Sequence, residues 1–204
     1  TLRNLEYLSI DQPIKLDLLQ FSNLKTLYFT GDNKLKNIEA LINLRDLLMT
    51  STTHQDLTHL ENLRNLETLR ICGGRITSLK GIEAFRNLER LDLLYCRKLI
   101  DVDSISKLAN LKKLHIEKCV QLANFSFLQG NQTIQNLFVE KITNLGFISS
   151  MSNLEKFSFW NCIDGNLEPL IHIPCRIYFY PNKRHYSHTL EQINKMRITN
   201  GLTS

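Results

Sequence analysis

Short alternating segments recur along this chain at a nearly constant spacing. Each has the form L-x-x-L-x-L, in which isoleucine, valine, methionine or phenylalanine can replace leucine, and asparagine usually precedes its first residue. In residues 88–93, for example, Leu91 and Leu93 fall on one side of an extended chain and Asp92 falls on the other. The pattern therefore predicts a series of short, half-buried β-strands.

Eight clear copies and one degenerate copy of this segment are present, and successive copies start 19 to 23 residues apart. One short strand cannot bury its apolar face alone, so we expect the copies to stack as a parallel sheet over a shared core. Parallel strands need a crossover, and the linking stretches carry apolar residues at every third position, which suits 3₁₀ or short helical turns. The copies start at Leu5, Leu24, Leu44, Leu66, Leu88, Leu111, Ile134, Leu154 and, in degenerate form, Pro174.

This pattern resembles the repeat of the leucine-rich-repeat family, and the resemblance covers residues 1–182 in about nine repeats. It implies an α/β fold: a right-handed solenoid, or horseshoe, with a concave parallel β-sheet and short 3₁₀ or α turns on the convex side. Because Thr1 already lies inside a repeat, we expect an upstream segment to be missing.

The 22 residues after the repeats, 183–204, are expected to form a C-terminal cap or tail. A short helix is predicted to begin at Ser187 or His188, with Leu190, Ile193 and Met196 along one side. The last repeat of a solenoid has no neighbour to cover it, so this helix is expected to fold back over the last core layer.

The ninth position of the repeat, which is usually asparagine or cysteine in this family, varies along the chain. Pro13, Asp32, Thr52, Gly74 and Ile142 occupy it in five copies, so we expect the early repeats to be less regular. Where a cysteine occupies this corner, we expect a small buried filler. We assign a structural role to Cys96, Cys119, Cys162 and Asn182.

The outward positions of successive strands form columns, because neighbouring strands lie about 4.8 Å apart. Four aromatic residues cluster in these columns on the last three strands, and basic residues run beside them. Exposed aromatic rings beside arginine are typical of interface hot spots. We predict a partner-binding site on the concave face made of Phe138, Trp160, Tyr178, Tyr180, Arg90, Lys113, Lys156 and Arg176, together with Arg70, Asp92 and His115.

Two alternatives remain open for these residues. The C-terminal tail could cover Tyr178 and Tyr180, which lie in the terminal strand. The central charged residues, Arg70, Asp92 and His115, could instead form a solubilising surface with internal ion pairs. Cys72 and Cys175 also fall on outward-facing positions of the sheet, but neither has an evident histidine or acidic partner.

Charge and cysteine content narrow the class of protein. The formal net charge of +5 comes from 25 basic and 20 acidic residues that alternate, with no nucleic-acid-binding motif. The apolar runs are far shorter than the roughly 20 residues that cross a bilayer. Five cysteines without a C-x-x-C pair indicate neither a disulfide framework nor a zinc site, and free thiols favour a reducing compartment. We expect a cytoplasmic protein, with secretion as the less favoured alternative.

No motif for catalysis is present: a G-x-S-x-G elbow, an H-E-x-x-H pair and a glycine-rich phosphate loop are all missing. His185 and His188 lack a third nearby metal ligand. We therefore expect no enzyme, no cofactor and no metal. The expected partner is another protein rather than a nucleic acid, a membrane or a small molecule, and we expect the chain to be monomeric.

Three classes of function fit these expectations. The first is a stand-alone interaction module that acts as an inhibitor, an immunity-type protein or an adaptor. The second is the ligand-sensing repeat region of a larger receptor, because residues 91–99 resemble the L-x-L-x-x-C-x-x-L unit of plant immune receptors. The third is a secreted internalin-like adhesin or effector, with possible glycosylation sites at Asn124 and Asn131.

Overall fold

A computed structural model of the chain describes residues 4–32, 34–122 and 124–202. The chain divides into two compact units. The first unit comprises Thr1–Leu111 and Lys118–Leu122, and the second comprises Lys112–Glu117 and Ala123–Ser204. The domain boundary that the sequence places after residue 182 stays a prediction.

The first unit is built on parallel strands that pair in chain order. Its strands are β1 (Tyr7–Ile10), β2 (Leu16–Asp17), β3 (Thr26–Thr30), β4 (Leu35–Lys36), β5 (Asp46–Thr50), β6 (Thr68–Cys72) and β7 (Arg90–Leu94). Strand β1 pairs with β3, β3 with β5, β5 with β6 and β6 with β7, while β2 and β4 form a separate small pair. Equal repeat positions face each other, so that Arg70 lies opposite Asp92. The predicted register of this unit is confirmed.

The second unit continues the same construction. Its elements are β8 (Lys113–Glu117), β9 (Asn136–Ile142), β10 (Lys156–Cys162), β11 (Arg176–Phe179) and the helix α1 (Leu190–Thr199). Strand β9 pairs in parallel with β8 and β10, and β10 pairs with β11. The predicted columns recur in this pairing, since His115 lies opposite Phe138 and Ser158 lies opposite Tyr178.

Short 3₁₀ turns link the strands, as the three-residue apolar spacing predicts. In the described part of the chain they span Leu18–Gln20, Ile38–Ala40, Thr58–Leu60, Ile82–Ala84, Asp103–Lys107, Ser126–Leu128, Ile148–Ser150 and Glu168–His172. Many apolar residues of these crossovers point inward; Leu79, Ile82 and Phe85, for example, have no exposed surface, whereas Leu19 is 61% exposed. No described helix is long and apolar enough to cross a bilayer.

The core of each unit consists of layers of equivalent repeat positions. The fourth position of the repeat is fully buried in four consecutive strands of the first unit, at Leu27, Leu47, Leu69 and Leu91. In the second unit phenylalanine takes over several core positions, and Phe157, Phe159 and Phe179 lie inside. Phe159 stacks with Phe157 at 5.2 Å and with Phe179 at 5.0 Å between ring centroids. Because each layer covers the next, the repeats together bury faces that no single repeat could bury.

The tail forms the predicted helix, but its inward face differs from the prediction. Helix α1 starts at Leu190 because Thr189 caps it: the Thr189 hydroxyl accepts a hydrogen bond from the Gln192 backbone, and the Gln192 side chain accepts one from the Thr189 backbone. Ile193 is fully buried as expected. Met196 is not, since 40% of it is exposed, and Arg197 points inward instead. The Arg197 guanidinium donates a hydrogen bond of 2.6 Å to the Cys175 carbonyl, which lets a charged residue replace the expected apolar one.

Two further placements differ from the sequence prediction. Cys175 is buried, not outward-facing, because it precedes β11 and lies where α1 packs. Asn182 is exposed rather than placed in a buried corner. Its side-chain oxygen accepts a hydrogen bond of 3.3 Å from the Leu190 backbone N–H, so it contacts the start of α1.

The ninth repeat position is buried in six repeats and exposed at Pro13, Gly74 and Asn182. Cys96, Cys119 and Cys162 are buried there, as predicted, and Cys96 and Cys119 donate to the carbonyls of the adjacent strand. In two early repeats Asp32 and Thr52 fill the same position and bond to each other. A carboxylate–hydroxyl pair therefore replaces the thiol in these repeats.

Candidate functional site

Two interacting aromatic rings occupy the outward face of the second unit. Phe138 on β9 and Trp160 on β10 pack edge to face, with 5.3 Å between their ring centroids and 82° between their planes. His115 on β8 lies 4.4 Å from Phe138 between ring centroids. The alternation of the strand produces this placement, because Leu137 and Val139 on either side of Phe138 are buried.

Tyr178 and Tyr180 extend this surface along and beyond β11, and both are open to solvent. Tyr178 is 48% exposed, Tyr180 is 82% exposed and Trp160 is 43% exposed. We call Phe138, Trp160, Tyr178 and Tyr180 the aromatic row. Large rings exposed together on one sheet face make this surface a candidate interaction site.

Basic residues accompany the aromatic row at the third position of each repeat. Lys156 lies opposite Arg176 in the sheet, and Lys113 and Lys156 both lie opposite Asn136. We call Lys113, Lys156 and Arg176 the basic column; all three are exposed. The Lys156 ammonium lies 5.1 Å from the centre of the Tyr178 ring, which is within cation–π range. Within the described part of the chain, none of the three forms an ion pair with a carboxylate.

A cleft of about 530 Å³ opens beside the aromatic row. It is lined by Glu140, Lys141, Trp160, Asn161, Tyr180, Pro181 and Lys183. One wall is therefore aromatic and two of the lining side chains are lysines. A cleft of this size accommodates one or two large side chains of a partner.

The described part of the tail, up to residue 202, leaves Tyr178 and Tyr180 exposed. In the described part of the tail, the aromatic residue that folds inward is Tyr186. Its ring packs edge-on against Phe179 at 5.7 Å between centroids, and its hydroxyl accepts a hydrogen bond of 3.1 Å from the Cys162 backbone N–H. The sequence pattern did not single out Tyr186, because the tail has no repeat position that would mark it as inward.

The predicted site residues of the first unit are engaged with their own neighbours. The Arg70 guanidinium lies 3.0 Å from an Asp46 carboxylate oxygen and 4.6 Å from the Tyr28 ring centre. Burial opposes the charged form of Arg70, but the hydrogen bond and charge of Asp46 outweigh it and raise the pKa of the guanidinium. Arg90 pairs with Asp92 at 2.9 Å. Asp92 is only 5% exposed, so it is not an available outward carboxylate.

His115, a predicted site residue of the second unit, also has an acidic neighbour. His115 lies 3.2 Å from a Glu117 carboxylate oxygen. Internal pairing, the second alternative for the central charged residues, therefore describes Arg70, Asp92 and His115. The His115 ring also contacts Phe138 of the aromatic row, whereas Trp160, Tyr178, Tyr180 and the basic column stay exposed.

The thiols are placed for packing. Burial raises the pKa of Cys175 to about 11, and burial together with a hydrogen bond to Asp164 raises the pKa of Cys162 to about 12. A hydrogen bond with Cys119 and burial also raise the pKa of Cys96. The thiolate is the nucleophilic form of cysteine, so these groups stay protonated and unreactive near neutral pH.

The histidines of the tail make local contacts. A ring nitrogen of His185 lies 3.0 Å from the Cys162 carbonyl, and His188 lies 3.7 Å from Glu168. Among the described residues, no group of three His, Cys, Asp or Glu side chains is arranged to hold a metal ion.

This chain resembles known proteins in its fold. No protein-family model matches the chain, and no curated protein matches its sequence. Solved structures do match. Internalin C2 from Listeria monocytogenes superposes with a TM-score of 0.62 at 22% identity, covering 79% of this chain and 76% of that one. The fold is that of the leucine-rich-repeat proteins.

Other leucine-rich-repeat structures show the same likeness at lower identity. Another internalin from the same bacterium has a TM-score of 0.68 at 18% identity and covers 95% of this chain. A leucine-rich-repeat protein from Leptospira interrogans has a TM-score of 0.64, also at 18% identity, and covers 96%. This chain spans 66% and 57% of the lengths of those two proteins. A plant peptide hormone receptor solved in complex with its peptide has a TM-score of 0.51 at 18% identity, covering 86% of this chain and 31% of the receptor chain.

Proposed function

We propose that this leucine-rich-repeat protein is a non-catalytic interaction module that binds another protein through the aromatic row. The observation that carries the proposal is the exposure of Trp160, Tyr178 and Tyr180 on one face, where no described part of the tail covers them. Burial of such rings stabilises a complex strongly, because they bring a large area and few rotatable bonds to the interface.

The contrast between the two units supports this location. On the sheet face of the first unit, Arg70 pairs with Asp46 and Arg90 pairs with Asp92, so these charges are already balanced within the protein. In the second unit the rings and the basic column are presented without such pairing. We therefore place the partner on the second unit, and we propose that binding occludes a surface of the partner, as an inhibitor, an immunity-type protein or an adaptor would do.

We also propose that the protein works in a reducing compartment such as the cytoplasm. All five cysteines are free, and four of them are buried. Buried thiols persist without a pairing partner where the environment is reducing. In an oxidising compartment, the half-buried thiol of Cys72 would be susceptible to oxidation.

A secreted internalin-like role is the second candidate. The likeness to two Listeria monocytogenes internalins over 79% and 95% of this chain favours it. The peptide-bound plant receptor favours a sensing role in the same way, with a lower TM-score. In either case the aromatic row would remain the proposed contact surface, and only the kind of partner would change.

Capture from source cells tests the function. The native chain and a Phe138→Ala/Trp160→Ala variant are immobilised and the bound proteins are compared by mass spectrometry. We expect a protein that the native chain captures and the double variant loses by at least about tenfold, since each hot-spot ring contributes 2 kcal/mol or more. Tyr7→Ala is the matched control, because Tyr7 is also an exposed ring, 54% accessible, on the sheet face of the first unit.

The variants must be folded for this comparison to be informative. Phe138 and Trp160 are partly exposed, so their truncation is expected to leave the urea unfolding midpoint nearly unchanged. Equal capture by the native chain and the folded double variant, with loss in Tyr7→Ala, would move the site to the first unit.

A further inference from the structure

We propose that the partner segment held by the second unit is an extended acidic peptide in which carboxylates alternate with large apolar side chains. The proposal rests on the proposed function and adds the chemistry of the partner. It follows from the spacing of the aromatic row and the basic column, and from the difference in charge pairing between the units.

The pairing of charged residues indicates the sign of the partner's charge. In the first unit, basic residues at outward positions have carboxylates of their own: Lys25 pairs with Glu6 and Arg45 with Glu67, each at 2.7 Å. Arg70 and Arg90 are paired in the same way. The basic column of the second unit has no carboxylate partner among the described residues. Its charge is therefore available to a partner, and complementarity requires that partner to be acidic.

The cleft adds to this charge. Lys141 and Lys183 line it beside Trp160 and Tyr180, and neither lysine has a carboxylate partner in the described part of the chain. Glu140 also lines the cleft but is engaged within the protein. If an apolar side chain of the partner binds between Trp160 and Tyr180, the partner's backbone lies near the two lysine ammonium groups.

Column geometry gives the shape of the partner. The basic column occupies the third position of each repeat, while Phe138 and Tyr178 occupy the fifth and Trp160 and Tyr180 the seventh. Two residues along a strand span roughly 7 Å, so the basic and aromatic columns run side by side about 7 to 13 Å apart. An extended peptide laid across the strands projects successive side chains to opposite sides. Its carboxylates would then face the basic column, and its apolar side chains would face the rings.

The length of the segment follows from the number of strands. From β8 to β11 the sheet is crossed in three steps of about 4.8 Å, or roughly 14 Å in all. An extended chain advances about 3.4 Å per residue, so about five residues span the site. A short linear segment therefore fills the surface, without the large rigid interface that a globular partner would present.

The test uses three matched peptides of eight residues that alternate phenylalanine or leucine with glutamate, with lysine or with serine. Trp160 is the only tryptophan of the chain, so its fluorescence reports directly on the aromatic row, and calorimetry gives the affinity. We expect the glutamate peptide to shift Trp160 emission and to bind at least about tenfold more tightly than the lysine and serine peptides at low salt. A glutamate peptide of identical composition in two blocks, acidic then apolar, is expected to bind more weakly than the alternating one.

Charge reversal locates the contact. Lys156→Glu/Arg176→Glu is expected to weaken the glutamate peptide at least about tenfold. Arg97→Glu/Lys98→Glu, an equal change of net charge in the exposed turn after β7, is expected to leave its affinity within about twofold. Equal loss in both variants would mean that net charge alone attracts the peptide, and would overturn the proposed site.

The outcomes separate this proposal from the proposed function. If the serine or lysine peptide binds as tightly as the glutamate peptide and still shifts Trp160 emission, the aromatic row binds peptides but the acidic partner is wrong. Tight binding of a thymidine oligonucleotide of equal charge would also overturn the acidic peptide, in favour of a nucleic acid. If no peptide binds while capture from cells still depends on Phe138 and Trp160, the interaction function stands and the extended acidic segment does not.

Discussion

Asp32 shows how a single residue can fill a repeat position that the family consensus gives to another chemistry. It is 8% exposed, and its carboxylate accepts hydrogen bonds from the Thr52 hydroxyl and from both the backbone N–H and the hydroxyl of Thr53. A buried carboxylate is costly unless such donors surround it. These bonds therefore tie two successive repeats at their corner.

Replacement of Asp32 by alanine is expected to lower the free energy of unfolding by about 2–3 kcal/mol, because the hydroxyls and the N–H of two threonines lose a buried acceptor. Urea unfolding followed by circular dichroism measures this change. Asp11→Ala is the control, since Asp11 is exposed, and a change within about 0.5 kcal/mol is expected there. An equally small change in Asp32→Ala would show that the network contributes nothing net.

The same residue gives stability a pH dependence. Burial raises the pKa of Asp32, but the hydrogen bonds from Thr52 and Thr53 outweigh it, so the pKa lies below its usual value of 3.8. A lowered pKa means that the unfolded chain takes up the proton first, so this stability is present above about pH 4 and is lost as the pH falls through the folded pKa. Compared with the native protein, Asp32→Asn is expected to be less stable at pH 7 and to lose less stability between pH 5 and pH 3.

The sequence predicts which residues face outward better than it predicts which charged residues pair with each other. The columns place Arg70 and Asp92 outward, but they do not say that Arg70 contacts Asp46 on the neighbouring strand or that Arg90 folds back onto Asp92. Which of several nearby charges pair depends on side-chain rotamers and local burial. A face that looks evenly charged in sequence therefore has paired arginines in the first unit, whereas Lys113, Lys156 and Arg176 of the second unit have no carboxylate partner among the described residues.

At the scale of elements, the strands and turns follow directly from the repeat, and the C-terminal helix follows from its cap. Thr189 and Gln192 form a capping box that satisfies two backbone N–H groups at the start of α1. The inward face of α1 was predicted only in part: Ile193 is buried, but Arg197 lies where Met196 was expected. The hydrogen bond from Arg197 to the Cys175 carbonyl compensates for burial of the guanidinium, and hydrophobicity alone does not predict this choice.

Thr189→Ala is expected to destabilise α1 by about 1 kcal/mol, because the N-cap side chain is lost. Hydrogen–deuterium exchange of the α1 amides measures this, and their protection is expected to fall roughly fivefold. Lys195→Ala, an exposed change within the same helix, serves as the control and should leave protection unchanged or slightly higher. Equal exchange in Thr189→Ala and the native chain would mean that packing of Ile193 alone holds the helix.

At the scale of the whole molecule, burial rather than sequence position separates the thiols. Cys72 is half-buried, whereas Cys96, Cys119, Cys162 and Cys175 are buried in one unit or the other. The half-buried thiol shares an outward column with Thr50, and burial still raises its pKa. The rates at which the five thiols react therefore show how tightly each part of the chain is folded.

Iodoacetamide at neutral pH is expected to alkylate Cys72 first, on the order of tenfold faster than the four buried thiols, because these must wait for local opening. Peptide mapping by mass spectrometry gives the five rates. In concentrated urea the five rates should become similar, which controls for intrinsic reactivity. Early labelling of Cys175 would instead show that α1 opens readily from the last repeat.

The sequence by itself determined the solenoid, the register of its strands and the identity of the outward columns. The reason is that a period-two strand repeated every 19 to 23 residues has one arrangement that buries every copy. Only the tertiary structure decided which outward residues are available. The pairing of Arg70 with Asp46, the inward turn of Tyr186 and the exposure of Tyr180 depend on tertiary contacts, and the pairing of Arg90 with Asp92 depends on a side-chain rotamer; no periodicity encodes these.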